Sequence, residues 1–199
     1  ESYHGSGSFL GDWSAKGDWA FDVDPRSLAP DSNAVPRTVL TQYVVDTLLG
    51  EVRSRRVCPE LSIDHPHVNP RYDGRADCRY IFCSLANEVG DTGPPMGYAK
   101  IDLSTGESVR WYAGCRCFTE ELVVVPRGEE GQAAEDDCWL LGLISDVGRP
   151  GGPRTCLAIL DGADLARGPV CRVWLNHRIP HGLHGCYVPG LIPPGPQQE

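Results

Sequence analysis

The apolar residues of the chain fall in short runs bounded by turn residues, and no long stretch has the 3.6-residue period of an amphipathic helix. Glycine and proline are frequent, with 23 and 17 residues respectively, and they separate most of the apolar runs. Short apolar runs between turn residues are typical of β-strands. The pattern therefore predicts an all-β protein.

One unit recurs three times along the chain: a strand, an aspartate at its end, a turn and a second strand. The aspartates are Asp46, Asp102 and Asp161, spaced 56 and 59 positions apart. Two more strands are predicted before the second unit, at 62–68 and 78–84, and two before the third, at 118–126 and 138–145. A repeat of this length that holds several short strands is typical of a β-propeller blade.

The pattern predicts between two and a half and three blades, which do not close a ring. Only residues 19–23 suggest an inner strand for the first blade, since residues 1–16 show no clear period. An open propeller leaves unpaired strand edges. The sequence therefore predicts a fragment of a larger propeller over residues 1–192, followed by a disordered Pro-rich tail at 193–199.

The composition excludes some classes of function. A net charge of −9 argues against nucleic acid as a partner, because nucleic-acid binding needs a basic face. No apolar run approaches the 18 or so residues of a transmembrane helix.

The nine cysteines are odd in number and lack a Cys-x-x-Cys pair, so we expect reduced core thiols in an intracellular protein. The chain begins at Glu1, and we expect that it starts inside a longer product or was processed, with any targeting signal out of view.

A histidine-rich segment near the C-terminal end is the first candidate for chemistry. Three of the six histidines, His177, His181 and His184, fall within eight residues there. Pro180 and the glycines on both sides of His184 favour a tight loop after a strand. A loop of this kind can present an imidazole as a metal ligand. On spacing alone, however, a surface loop whose glycines only make turns is the favoured interpretation.

Two carboxylates stand in unusual places, each at the start of an apolar strand. With a side-chain period of two, Glu121 shares a face with Val123, and Glu120 shares the other face with Leu122. An acid at such a position either lies in solvent at the rim or holds a partner inside. Asp64 is placed similarly.

Asp64 precedes two histidines in the stretch 63–68. A carboxylate there could bond the far nitrogen of a metal-bound imidazole and fix its tautomer. His65 and His67 would point to one face, as a metal pair does, although Pro66 between them fits an edge or loop position as well.

Four segments of the chain resemble motifs of the carotenoid cleavage oxygenase family, in the family's order. Residues 178–185, Arg-Ile-Pro-His-Gly-Leu-His-Gly, are similar to its Arg-Val-Pro-Phe-Gly-Phe-His-Gly signature. Residues 97–107 are similar to its Gly-Phe-Ala-Lys-Val-Asp-Leu-Ser-Thr-Gly-Glu hairpin. Residues 121–126 fall on its Glu-Pro-x-Phe-Val-Pro strand, and 135–141 on its Glu-Asp-Asp-Gly-(Trp/Tyr)-Leu-Leu strand. The chain is thereby identified as a member over residues 38 to 189.

The resemblance implies a seven-bladed propeller with a non-haem Fe(II) on its axis, held by four histidines. His184 falls on the last iron ligand, and Glu121 on a glutamate that orients another of the four. Asp64 falls where the family has the Glu of a Glu-Phe-Pro motif, so its carboxylate is one methylene shorter here. His181 replaces the usual Phe, and neither His177 nor His181 is expected to bind iron.

The other three ligands are expected upstream. The third belongs to a His-x-Asn-Ala-Tyr-Glu segment, and His4 is the one histidine near that place, although its surroundings do not match the motif. The resemblance implies cleavage of a carotenoid or apocarotenoid double bond by O₂, with an apolar interior for the polyene. It leaves room for peripheral membrane contact during substrate uptake, and for a plastid or the cytoplasm as the compartment. The competing hypothesis is a truncated, metal-free propeller remnant that acts as a binding or structural module.

Overall fold

The computed structural model describes residues 38–86, 94–129 and 131–190, and the backbone of residues 2–3. The expected strand at 19–23, His4 and the tail at 193–199 lie outside these residues. The regular secondary structure of the described part is β-strand, apart from a single three-residue 3₁₀ turn at Leu165–Arg167, which confirms the predicted class. Its strands are β1 (Ser2–Tyr3), β2 (Thr38–Asp46), β3 (Glu51–Val57), β4 (Ile63–His67), β5 (Tyr80–Leu85), β6 (Gly97–Asp102), β7 (Ser108–Tyr112), β8 (Cys117–Pro126), β9 (Cys138–Asp146), β10 (Arg154–Asp161) and β11 (Pro169–Trp174).

The strands form two complete four-stranded antiparallel meanders and part of a third. Strands β4 to β7 make the middle blade, β8 to β11 make the last blade, and β2 and β3 pair as a hairpin beside β1. Each strand of the two complete blades pairs with the next one along the chain. This arrangement is that of propeller blades, and the strand positions predicted from the sequence differ from the observed ones by a few residues at most.

The repeated aspartate has the same role in all three units. In each one, a side-chain oxygen accepts a hydrogen bond from the backbone N–H two residues later, at 3.0 Å for Asp46, 2.8 Å for Asp102 and 3.0 Å for Asp161. An aspartate in this position stabilises the turn that follows the strand. The turn chemistry therefore explains why the same residue recurs at the end of the strand before each of these turns.

The last blade packs against the middle blade through one of its faces. Leu122, Leu140 and Ala158 of the last blade are buried in one cluster with Phe82 and Tyr98 of the middle blade. A second buried cluster joins the β2–β3 hairpin to the other side of the middle blade. Burial of these apolar side chains between stacked sheets is the main stabilising contribution to the fold.

The contact between the two complete blades leaves no space for added atoms. Tyr98 is fully buried, and its ring end lies directly against Gly142 of β9. A methyl group at Gly142 would fall 2.0 Å from the phenol oxygen and 2.7 Å from Cζ. Glycine is therefore required there for close approach of the two sheets.

Both complete blades carry a β-bulge in their first strand, which the sequence did not predict. In β4, Asp64 pairs with Ser84 and His67 pairs with Phe82, so two residues of β4 stand opposite one of β5. In β8 the register shifts in the same way between Thr119 and Leu122. Strands β4 and β8 pack against each other. The two bulges therefore place the functional candidates of both blades in the same region.

The faces predicted for Glu120 and Glu121 agree with the burial pattern of β8. Glu120, Leu122 and Val124 are buried, whereas Glu121, Val123 and Val125 are half-buried. The bulge at Glu120 and Glu121 still allows both carboxylates to line one cavity together with Val123. Glu120 is 7% exposed, so it is a buried acid.

Candidate metal centre

The segment after β11 has no regular secondary structure over residues 175–187, which we call the C-terminal loop. Two contacts fix it to the last blade. Thr155 Oγ1 accepts a hydrogen bond from the N–H of Ile179 at 3.2 Å, and Glu121 Oε2 accepts one from the N–H of Gly185 at 2.7 Å. These bonds hold both ends of the segment that carries His181 and His184.

Glu121 lies between the middle blade and the C-terminal loop. Its Oε1 is 2.8 Å from Nε2 of His67 and 3.3 Å from Nδ1 of His184. The Glu121 side chain is only 10% exposed, whereas the side chains of His67 and His184 are 33% and 69% exposed. Glu121 is therefore a largely buried carboxylate with three polar partners.

The contact with Glu121 has a direct consequence for His184. A carboxylate can only accept hydrogen bonds, so Nδ1 of His184 carries the proton and donates it. In the neutral ring, the lone pair then lies on Nε2, which is the atom free to bind a metal ion. The resemblance assigned Glu121 to a different histidine of the iron site, but in the structure the imidazole of His184 itself faces this carboxylate.

The surroundings of Glu121 also set its ionisation. Burial by itself would raise the pKa of Glu121, but the N–H of Gly185 and the rings of His67 and His184 all stabilise the ionised form. The net effect holds the pKa of Glu121 below its ordinary value. The carboxylate is thus charged at neutral pH, as an acceptor of three hydrogen bonds should be.

His65 and His67 do not form a metal pair in the described part of the chain. His67 is bonded to Glu121, while Nδ1 of His65 is 2.9 Å from Ser84 Oγ. The ring of His65 meets that of His184 edge to face, with 5.8 Å between centroids. No group of three or more His, Cys, Asp or Glu side chains among the described residues could hold a metal ion.

Asp64 has a local role in the structure. Its Oδ1 accepts a hydrogen bond from the N–H of His65 at 2.8 Å, and its backbone oxygen accepts one from Ser84 Oγ at 3.0 Å. His65 has a φ of 51°, an uncommon conformation for a residue other than glycine. The hydrogen bond that its N–H donates to Asp64 stabilises this conformation. Within the described residues, no imidazole contacts the Asp64 carboxylate.

Two cavities flank the C-terminal loop. One, of about 310 Å³, lies beside His184 and is lined mainly by apolar side chains of the last blade and the loop, including Val123, Leu141, Leu143, Leu157 and Leu183. The other, of about 260 Å³, lies beside His181 and includes Phe118, Val147, Arg154 and Arg178. The first cavity brings an apolar surface next to the candidate metal ligand, as a site for an apolar substrate requires.

Sequence reasoning missed three contacts of this region: those of Glu121 with His67 and with His184, and the approach of His181 to Glu120. Each joins residues that are far apart in the sequence, so no local pattern marks it. The replacement of the usual Phe by His181 was the one visible signal.

Comparison with known proteins shows which family and which relatives the chain resembles in sequence. Residues 11–189 match the family model described as retinal pigment epithelial membrane protein. The chain is 32% identical to the apocarotenoid-15,15′-oxygenase of Synechocystis over 85% of its length and 29% of that protein. It is 40% identical to the isoeugenol monooxygenase of Pseudomonas nitroreducens over 81% of its length and 34% of that protein.

Solved structures agree with these relatives. The cobalt-substituted Synechocystis apocarotenoid oxygenase superposes with a TM-score of 0.68 and 28% identity, covering 77% of this chain and 31% of that one. The chain thus spans about a third of the length of the relatives that it matches. None of the described residues forms a helix long and apolar enough to cross a bilayer.

Proposed function

The chain belongs to the family of the retinal pigment epithelial membrane protein and the carotenoid cleavage oxygenases, and from this we propose that it forms the His184-bearing part of a carotenoid or apocarotenoid cleavage oxygenase. In such a reaction one carbon–carbon double bond and one O₂ give two carbonyl groups. The substrate would be an apolar polyene and the cofactor Fe(II). The plastid or the cytoplasm remains the predicted compartment.

The observation that carries the proposal is the contact between Glu121 and His184. It joins two residues that are 63 positions apart in the sequence, and it leaves Nε2 of His184 as a metal donor. A carboxylate that bonds the far nitrogen of an imidazole fixes the ring and makes it a stronger ligand. This arrangement is the one that a histidine ligand of a metal centre needs.

The chain's own residues would supply one ligand and part of the substrate wall. Fe(II), when bound, would bind and activate O₂. Glu121 would hold the ring of His184 in a single tautomer and orientation. The apolar side chains of the cavity beside His184 would keep water from the reacting double bond and align the polyene.

A second substrate class is favoured by a separate observation. The isoeugenol monooxygenase shares 40% identity with the chain, more than the apocarotenoid-15,15′-oxygenase does. A small aromatic alkene is therefore the alternative to a long polyene. Both substrates present a carbon–carbon double bond to the same kind of centre.

The test uses the complete natural protein that contains this chain, loaded with iron. It is incubated under air with an apocarotenal and, separately, with isoeugenol, and the products are identified by mass spectrometry. The proposal predicts two carbonyl products from one of these alkenes and none from a His184→Ala variant. Absence of carbonyl products from both substrates, with iron bound, would contradict an oxygenase and favour a binding or structural module.

A further inference from the structure

Glu120 is a buried acid that the proposed iron site does not use. The residue is 7% exposed, and within the described part of the chain its Oε1 has no hydrogen-bond partner. Its neighbour Glu121, by contrast, accepts three hydrogen bonds. A buried carboxylate without hydrogen bonds is stabilised when a cation lies close to it.

The group nearest to this oxygen that can carry positive charge is His181. Its Nδ1 lies 3.6 Å from Glu120 Oε1, which is an ion-pair distance but too long for a hydrogen bond. The ring is 54% exposed, so it can take up a proton from solvent. Tyr98 interacts electrostatically with Glu120, and the cavity that Glu120 lines is also lined by Glu121, His184, Cys186 and Tyr187. Among the described residues, the ion-pair contact of Glu120 is with His181.

The backbone of the C-terminal loop closes over the same carboxylate. A methyl group at Gly182 would lie 3.2 Å from Glu120 Oε2, so the loop passes directly above this oxygen. His181 and Gly182 thus contact Glu120, while His184 and Gly185 contact Glu121. Two adjacent carboxylates of one bulge therefore hold two successive parts of the loop.

We propose that Glu120 and His181 form a carboxylate–imidazolium pair that positions the C-terminal loop and thereby keeps His184 against Glu121. His181 stands where the carotenoid oxygenase signature has Phe, and a phenyl ring could not compensate a buried charge. His181 is thus a positioning residue of this chain. The effect on iron binding rests on the proposed function, but the pair itself does not.

If the pair exists, the effect of Glu120→Gln on the C-terminal loop should have opposite signs in the presence and in the absence of His181. With His181 present, Glu120→Gln removes the attraction and loosens the loop. In the His181→Phe variant, Glu120 is a buried charge without a cation beside it. Adding Glu120→Gln removes this uncompensated charge, so the C-terminal loop is held more firmly. A side chain that only fills space would not produce this reversal.

The measurement is amide hydrogen exchange of Gly185, followed by NMR at about pH 6, where an ordinary histidine is largely protonated. Gly185 is the readout because its N–H is bonded to Glu121. We expect Glu120→Gln and His181→Phe each to speed its exchange by about 5-fold or more, as a loss of roughly 1 kcal/mol in local stability would. The double variant should exchange more slowly than His181→Phe alone.

Two further variants serve as controls for this measurement. Glu107→Gln removes an exposed carboxylate of β7's preceding turn with the same change in net charge, and should leave the exchange of Gly185 unchanged. His181→Gln, which keeps a polar side chain at the half-exposed position, should behave as His181→Phe does even if the Phe variant folds poorly. Additive effects of the two substitutions, or equal exchange in all variants, would overturn the proposal. Since no readout involves iron or turnover, that failure would leave the oxygenase assignment standing.

Discussion

The two complete blades both begin with a bulged strand that carries a carboxylate, but the two carboxylates have different partners. Each first strand carries a β-bulge: Asp64 lies directly before that of the middle blade, and Glu121 lies with Glu120 in that of the last blade. Asp64 bonds the backbone of its own neighbour His65. Glu121 reaches out of its blade to His67 in the middle blade and to His184 in the C-terminal loop.

The difference has two physical causes. A glutamate side chain is one methylene longer, so its oxygens extend past the bulge, whereas the oxygens of Asp64 fall back on the adjacent N–H. The partners differ as well, since the C-terminal loop covers the bulge of the last blade. A repeated bulge thus supports its own strand in one blade and holds a candidate metal ligand in the other.

The largest effect should come from disturbing the contact that aligns the two blades. Gly142→Ala places a methyl group 2.0 Å from the phenol oxygen of Tyr98. Because both residues are buried, we expect a loss of about 3 kcal/mol in the free energy of unfolding, measured by urea denaturation. Gly185→Ala meets no atom within 4 Å and is the matched control. Equal effects of the two changes would show that the blades do not pack as described.

The next largest loss of stability is expected from a change at Glu121 of the last blade. Glu121→Gln keeps the shape of the side chain, but one amide oxygen and one NH₂ group cannot accept the three hydrogen bonds that Glu121 accepts. Because these bonds go to a charged group, we expect a loss of about 2 kcal/mol in the free energy of unfolding. Urea denaturation of both forms at neutral pH checks this value, and an unchanged midpoint would contradict the described contacts.

The same variant gives a pH dependence with a definite sign. The pKa of Glu121 is lowered in the folded protein, so its contribution to stability is complete above the ordinary glutamate pKa of about 4.3. That contribution is lost as the pH falls through the lower, folded-state pKa. We therefore expect the stability difference between wild type and Glu121→Gln to be constant at neutral pH and to shrink below about pH 4.3. A difference that still grows as the pH falls below about 4.3 would contradict the ionised carboxylate.

The smallest effect is expected at the carboxylate of the middle blade. Asp64→Asn leaves a carbonyl oxygen that can still accept the hydrogen bond from the N–H of His65. We expect a change in the free energy of unfolding below about 0.5 kcal/mol. A loss as large as that of Glu121→Gln would mean that Asp64 also holds a partner beyond its own strand, and the contrast between the blades would fail.

Most of the fold could be predicted because it depends on local patterns. Asp46, Asp102 and Asp161 mark the turns, and short apolar runs mark the strands on either side. Strand ends were harder, because they depend on pairing with a neighbour: the strand predicted at 62–68 is observed at Ile63–His67, and the one predicted at 78–84 at Tyr80–Leu85. The β-bulges were not predicted, because a bulge changes the side-chain period at one residue only.

The site could be predicted in part, for a related reason. His184 and Glu121 were identified from motifs. Their mutual contact was not, because it joins positions that only tertiary packing brings together. The face of Glu120 was predicted from the period of two, but its approach to His181 was not, because that approach depends on the path of the C-terminal loop.

The central claim is that Glu121 presents His184 as a metal ligand, and iron content tests it most directly. The complete natural protein is purified as wild type, His184→Ala and His177→Ala, and iron is measured by elemental analysis. His177 lies in the same loop and serves as the control, since it is not expected to bind iron. We predict about one iron per chain in wild type and in His177→Ala, and a loss of most of it in His184→Ala. Full iron content in His184→Ala would contradict the account.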